Sequence, residues 1–142
     1  AAKKENIEII EVGISNVNDM PQAIDAMLGK VDAVLGITDN LVANSLDLLT
    51  SKVNLAKKPL VLTFVDTSSS GKNVLISSGF SYYDHGKQAG SKAIDILING
   101  VKPSDIPIET TENITNYVSI PVAEQIGIDV NLPIIKESIP VE

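Results

Sequence analysis

Cysteine and tryptophan are absent, histidine occurs once, and aromatic residues make up only 4% of the 142 residues. Without cysteine there is no disulfide framework, no thiol nucleophile and no thiolate ligand for a metal. The single His85 lies in Tyr83-Asp84-His85-Gly86. At a helix start it reads as a surface or capping residue rather than a catalytic base. The acids have no histidine neighbours, so no transition-metal site is indicated. Positive charge is also scarce: 11 basic residues against 18 acidic ones give a net charge of −7. Lysines scattered in pairs, as in Lys3-Lys4 and Lys57-Lys58, mark solvated edges and not the clustered cations that nucleic acid requires. No run reaches the roughly 18 apolar residues of a membrane span. There is no G-x-S-x-G elbow, no Walker loop and no G-x-G-x-x-G. No catalytic residue set, metal set or cofactor is therefore expected.

What is present is an ordinary globular chain, 44% apolar and 20% charged, long enough for one domain with a core. Ala1-Ala2-Lys3-Lys4-Glu5-Asn6 is polar and too short for a secretory signal. Ile7 to Val12, rich in β-branched residues, predicts a first strand. Asp19-Met20-Pro21-Gln22 opens a helix that Gly29 ends. Ala33 to Ile37 is a second, wholly apolar strand, suited to a parallel sheet covered on both faces. Val42, Leu46, Leu49, Val53 and Ala56 recur at helical spacing, predicting one helix over 41–57 that Pro59 stops. Leu60 to Val65 is a third strand, and 73–80 holds a weaker fourth. A helix over 82–98, capped by Ser81, carries Gly86 and Gly90 on one face, small enough for close packing. Residues 106–120 read as extended, 121–127 as a short helix, and the tail from Asn131 as irregular. Alternating strands and helices predict an α/β fold with an open parallel sheet in a three-layer α/β/α sandwich.

Ligands of such sheets bind outside the carboxyl ends of the strands. Three polar clusters fall there: Ser15-Asn16-Val17-Asn18-Asp19, Thr38-Asp39-Asn40 and Asp66-Thr67-Ser68. Their short hydroxyl, amide and carboxylate groups can hydrogen-bond a zwitterion or a sugar. The same residue types also serve as N-caps and turns, and each cluster alone is better explained that way; only the three at one sheet edge bring the two readings level. Asp39 or Asp66 can pair with a ligand ammonium through a charge-assisted bond, and Asp39 can at the same time cap the helix that follows it.

The segments VDAVLGITDNLVANSL, KKPLVLTFVD, GFSYYDHGKQAGSKAIDILINGVKPSDIPIE and AEQIGI, in that order, resemble the substrate-binding proteins of ABC transporters. The better-known members of that family bind tryptophan and related amino acids, and its wider relatives are type I periplasmic binding proteins and the effector domains of LacI-type repressors. The resemblance runs from about Ile7 to Ile128. It implies one lobe, the C-terminal one, of a bilobed protein that closes on a small solute of the amino-acid class, without catalysing a reaction. It implies ligand contacts at Ser15, Asn16, Asn18, Thr38, Asp39, Asn40 and Asp66, with Asp39 or Asp66 on the ammonium. It implies a membrane permease as partner, and export, as a periplasmic protein or a lipoprotein anchored outside this chain. It also implies that residues 82–98 and the tail associate with the other lobe. An isolated chain would then lay that helix on its own sheet or self-associate through it. The alternative function is the effector-binding domain of a transcriptional regulator, which shares the fold. A receiver-like domain is a weaker third, since it needs an acidic pair at the first strand's end and only Asp19 is near.

Overall fold

The computed structural model describes residues 2–66, 68–80, 82–111 and 114–141. Five strands form one sheet in the order β1-β2-β3-β4-β5. They are Val34–Gly36, Leu60–Leu62, Ile76–Gly79, Thr115–Val118 and Ile139–Pro140. β1, β2 and β3 run parallel, with Val34 beside Leu60 and Val61 beside Ile76. β4 is antiparallel to β3, pairing Ile76 with Val118 and Gly79 with Thr115, and β5 runs parallel to β4. The α/β lobe is the expected one, but its sheet is mixed rather than wholly parallel. The reason lies in the connection: the chain leaves β3 at its carboxyl end, makes a long excursion, and re-enters at that same end, so β4 must run backwards.

The helices are α1 Met20–Leu28, α2 Asn40–Asn44, α3 Leu46–Leu55, α4 Tyr82–Leu97, α5 Ile120–Ile126 and α6 Pro133–Lys136. Met20 and Ile24 of α1 and Leu46, Leu49 and Val53 of α3 bury themselves against Val34, Leu60, Leu62 and Phe64. A second cluster joins Leu75 and Val118 to Val122, Ala123 and Ile126 of α5 and Ile135 of α6. Cutting a fully buried side chain such as Leu62 to Ala costs about 2–5 kcal/mol. These cores hold the parallel strands in place, and with them the loops at their carboxyl ends.

Four expectations need correction. Residues 7–12 form no strand, and Ile7, Ile9, Ile10 and Val12 are exposed. β-Branched residues favour extended backbone, but a strand also needs a neighbour for its N–H and C=O groups. The outer edge of β1 has none. At that edge Leu35 of β1 and Ile37, just after it, are 63% and 60% exposed. The helix expected over 41–57 breaks into α2 and α3 at Ser45, whose φ of −109° and ψ of 13° leave the helical region. The tail is ordered: α6 buries Ile135, Ser138 Oγ donates to Ile134 O at 2.6 Å, and β5 extends the sheet.

The fourth correction concerns α4. None of its 16 residues is buried. Gly86 and Gly90 approach nothing: a Cβ at either would meet open space. The helix does not fold back onto the sheet. It is braced instead by the segment that follows it, where Lys92 Nζ lies 2.9 Å from Glu109 Oε1 and Gln88 Nε2 donates to Glu109 Oε2 at 2.9 Å. The Lys92 bond, with that of Gln88, holds the Glu109 carboxyl below the usual carboxylate range. Ser81, expected as the cap of this helix, lies outside the described residues.

Candidate ligand cleft

The carboxyl ends of β1, β2 and β3 deliver to one edge of the sheet the stretches 37–40 and 63–66, together with Phe80 and Tyr82. The first is anchored by Thr38. Its Oγ1 donates to Thr63 O at 3.2 Å and lies 3.0 Å from Thr63 Oγ1, tying the ends of β1 and β2 together. Asp39 follows with extended backbone and caps α2, Oδ1 accepting from Leu41 N at 2.7 Å and Val42 N at 3.4 Å. Its Oδ2 takes no hydrogen bond from the described residues. An N-cap satisfies one oxygen and leaves the other available, so both sequence readings of Asp39 can hold together.

Asp66 is fixed in a similar way. Its Oδ1 accepts from Ser68 N at 2.7 Å, closing an Asx turn. Gly71 makes this loop possible: a Cβ there would sit 1.9 Å from Asp66 O. Ser70 Oγ donates to Asp47 Oδ1 at 2.5 Å and pins the far side of the loop to α3. Thr67, the middle residue of the expected cluster, lies outside the described residues.

The space between these stretches is a cleft of two compartments. One, of about 240 Å³, is lined by Thr38, Asp39, Asn40, Ala43, Phe64 and Tyr82. The other, about 500 Å³ and more open, is lined by Ala43, Phe64, Val65, Asp66, Ser68 and Tyr82. Two carboxylates, two hydroxyls and an amide thus share a wall with two aromatic rings. No lysine or histidine lines either compartment. The donor and acceptor set is one that receives a cation or a neutral hydrogen-bonding group, not a phosphate. Among the described residues no cluster of three His, Cys, Asp or Glu side chains is placed to hold a metal ion.

The structure brings Thr38, Asp39, Asn40 and Asp66 together at this cleft and leaves Ser15, Asn16 and Asn18 off its lining. Those three are engaged with their own loop. Asp19 Oδ2 accepts from Ser15 N at 2.9 Å, Asn16 N at 3.1 Å and Asn16 Nδ2 at 3.0 Å, while Asn16 Oδ1 accepts from Asn18 N at 2.9 Å. The bonds from Ser15 and Asn16 hold the Asp19 carboxyl below the usual range. Because 7–12 does not join the sheet, the third wall of the cleft comes from the end of β3. That is how Tyr82 enters the site, while Phe64 arrives on the stretch that follows β2. Gly79, where a Cβ would come within 3.0 Å of Phe64 Cα, brings that end of β3 close.

The family described as ABC transporter substrate binding protein matches residues 1–141. The chain is 37% identical over 111 residues to a tyrosine-binding protein of Clostridioides difficile (strain R20291), covering 78% of this chain and 31% of that one. A ligand-free, open structure of a Clostridium difficile substrate-binding protein with adhesive properties superposes with a TM-score of 0.71 at 27% identity, over 99% of this chain and 46% of that one. An ABC domain from Streptococcus pneumoniae, solved with L-Trp, shares the fold with a TM-score of 0.82 at 22% identity, over 99% of this chain and 48% of that one. The chain thus spans less than half the length of these relatives.

Proposed function

This chain belongs to the ABC transporter substrate-binding protein family, a family of binding proteins rather than enzymes, and from that premise we propose that it is the lobe that offers Asp39 or Asp66 to the ammonium of an amino acid. The observation that carries the reading is the cleft itself. Two aspartates, each with one oxygen engaged by backbone N–H and the other taking no hydrogen bond from the described residues, line a space whose lining holds no lysine or histidine. An ammonium ion is the group that completes such a site, and Thr38, Asn40 and Ser68 supply neutral partners for the rest of the solute. The names of two relatives, a tyrosine-binding protein and an ABC domain solved with L-Trp, favour an aromatic amino acid.

On this reading the solute is held between this lobe and a second one. Closure of the two around it is a population shift with no covalent step. The exposed helix α4 and the 103–109 segment braced on it rest against that second lobe. The protein works outside the cytoplasmic membrane, as a periplasmic protein or an anchored lipoprotein, and hands its solute to a membrane permease. Among the described residues no helix is long and apolar enough to cross a membrane.

The test is a thermal-shift screen of the complete reading frame that encodes this chain, against the twenty amino acids, several sugars and several nucleosides. A ligand at a hundredfold excess over its Kd stabilises by about 2.7 kcal/mol. A selective shift with one or a few amino acids, lost in Asp39→Ala or Asp66→Ala, is the expected result. A shift with sugars or nucleosides alone overturns the ammonium assignment.

A further inference from the structure

Of the two phenylalanines and three tyrosines of this aromatic-poor chain, Phe64 and Tyr82 line the cleft and Phe80 packs beside Tyr82. Three residues, Ala43, Phe64 and Tyr82, line both compartments, so they separate the Asp39 side from the Asp66 side. They differ in what they can do. Phe64 is 9% exposed and belongs to the main core, so its ring is a fixed surface. Ala43 is small and leaves room above α2. Tyr82 is 66% exposed, too exposed to serve the core of this lobe. Its ring is nevertheless placed: Phe80 packs edge-on against it at 5.7 Å with an interplanar angle of 72°, and the His85 ring backs Phe80 at 5.1 Å.

Resting on the functional reading above, we propose that Tyr82 is the specificity-determining residue of the cleft, forming with Phe64 an aromatic slot, roomy because residue 43 is alanine, for a planar ring on the bound solute. A solute whose ammonium sits on one aspartate must lay its side chain across the strip that Ala43, Phe64 and Tyr82 make between the compartments. An aromatic ring there gains edge or face contacts with two rings, which an aliphatic chain of similar area does not. Phe80 acts through Tyr82, as a positioning residue. Tyr82 is also the first described residue of α4, so a ring seated on it bears directly on the helix that carries the second lobe's contacts.

The experiment is titration calorimetry on the complete protein with L-tyrosine, L-tryptophan and L-leucine, comparing wild type with Tyr82→Ala, Tyr82→Phe, Ala43→Leu and the neighbouring control Tyr83→Ala. The expected result is that Tyr82→Ala weakens aromatic ligands by about tenfold, one ring contact's worth, and L-leucine by much less. Tyr82→Phe and Tyr83→Ala stay near wild type, and Ala43→Leu, which fills the slot, weakens aromatic ligands selectively. Because the chain has no tryptophan, Tyr82→Trp adds a reporter in this lobe, whose emission is expected to change when L-tyrosine binds. If Tyr82→Ala binds every ligand within about twofold of wild type while Asp39→Ala loses binding, the role of Tyr82 is overturned and the functional reading stands. If wild type binds none of the three while another amino acid stabilises it in the thermal-shift screen, this assignment falls and the functional reading stands; if none of the twenty does, both fall.

Discussion

Thr38 and Thr63 meet across the ends of β1 and β2, their hydroxyl oxygens 3.0 Å apart, with Thr38 Oγ1 also 3.2 Å from Thr63 O. This clip stands one residue before Asp39, so it fixes where the carboxylate is presented. Thr38→Val keeps the shape and removes the hydroxyl. It is expected to cost about 1 kcal/mol in urea unfolding, the worth of one hydrogen bond, and to weaken solute binding further, because Asp39 loses its anchored neighbour. Unchanged unfolding would show that the clip contributes nothing.

Asp39 has two tasks, and substitution can separate them. Asp39→Ala loses both the cap and the charge, and is expected to cost about 1 kcal/mol of stability together with ligand affinity. Asp39→Ser keeps a capping oxygen for Leu41 N and Val42 N, so stability should return to near wild type while affinity stays low. Urea unfolding and calorimetry on the same pair of variants check this. Recovery of binding in Asp39→Ser would assign Asp39 to the helix alone.

Asp19 ties the 15–19 loop together through the amides of Ser15 and then Asn16, and these bonds depress its carboxyl. A folded-state value below the unfolded one, about 3.9, gives stability that is complete above that value and lost as pH falls through the folded value. Asp19→Asn removes the charge. The gap in Tm between wild type and this variant should therefore be full near neutral pH and shrink in acid below about pH 4. A gap that is constant across that range would refute the linkage.

The apolar stripe of α4 has a consequence for the chain taken by itself. Ile94 and Leu97 of α4, and Ile98 just after it, are 53%, 81% and 75% exposed, and exposed apolar surface drives association. The isolated 142-residue chain is expected to self-associate in light scattering, and Ile94→Glu with Leu97→Glu to shift it towards monomer. A monodisperse monomer with α4 ordered and uncovered would contradict this.

Sequence patterns revealed the elements that carry their own instructions. Pro21, Pro59 and Gly127 mark helix boundaries that the structure keeps, and the apolar runs at 33–37 and 60–65 each hold a shorter strand, Val34–Gly36 and Leu60–Leu62. They did not reveal what depends on distant partners. Ile7 to Val12 has the composition of a strand, but pairing depends on a neighbour that no local pattern encodes. The break at Ser45 was hidden because apolar spacing continues through it. The antiparallel β4 follows from where the α4 excursion returns, which spacing cannot state. The cleft was half legible: Thr38, Asp39, Asn40 and Asp66 stood out as polar residues at strand ends. Phe64 and Tyr82 did not, because one closes an apolar run and the other opens an amphipathic helix, and only the order of strands in the sheet sets them face to face with the acids.

The central claim is that the solute sits at the carboxyl ends of β1, β2 and β3. Hydrogen–deuterium exchange of the complete protein, with and without the amino acid that gives the largest thermal shift, tests it most directly. Slowed exchange confined in this lobe to the Asp39–Ala43 turn, the Val65–Gly71 loop and the first turn of α4 is the predicted result. Protection that leaves those three segments unchanged while the solute is bound would contradict it.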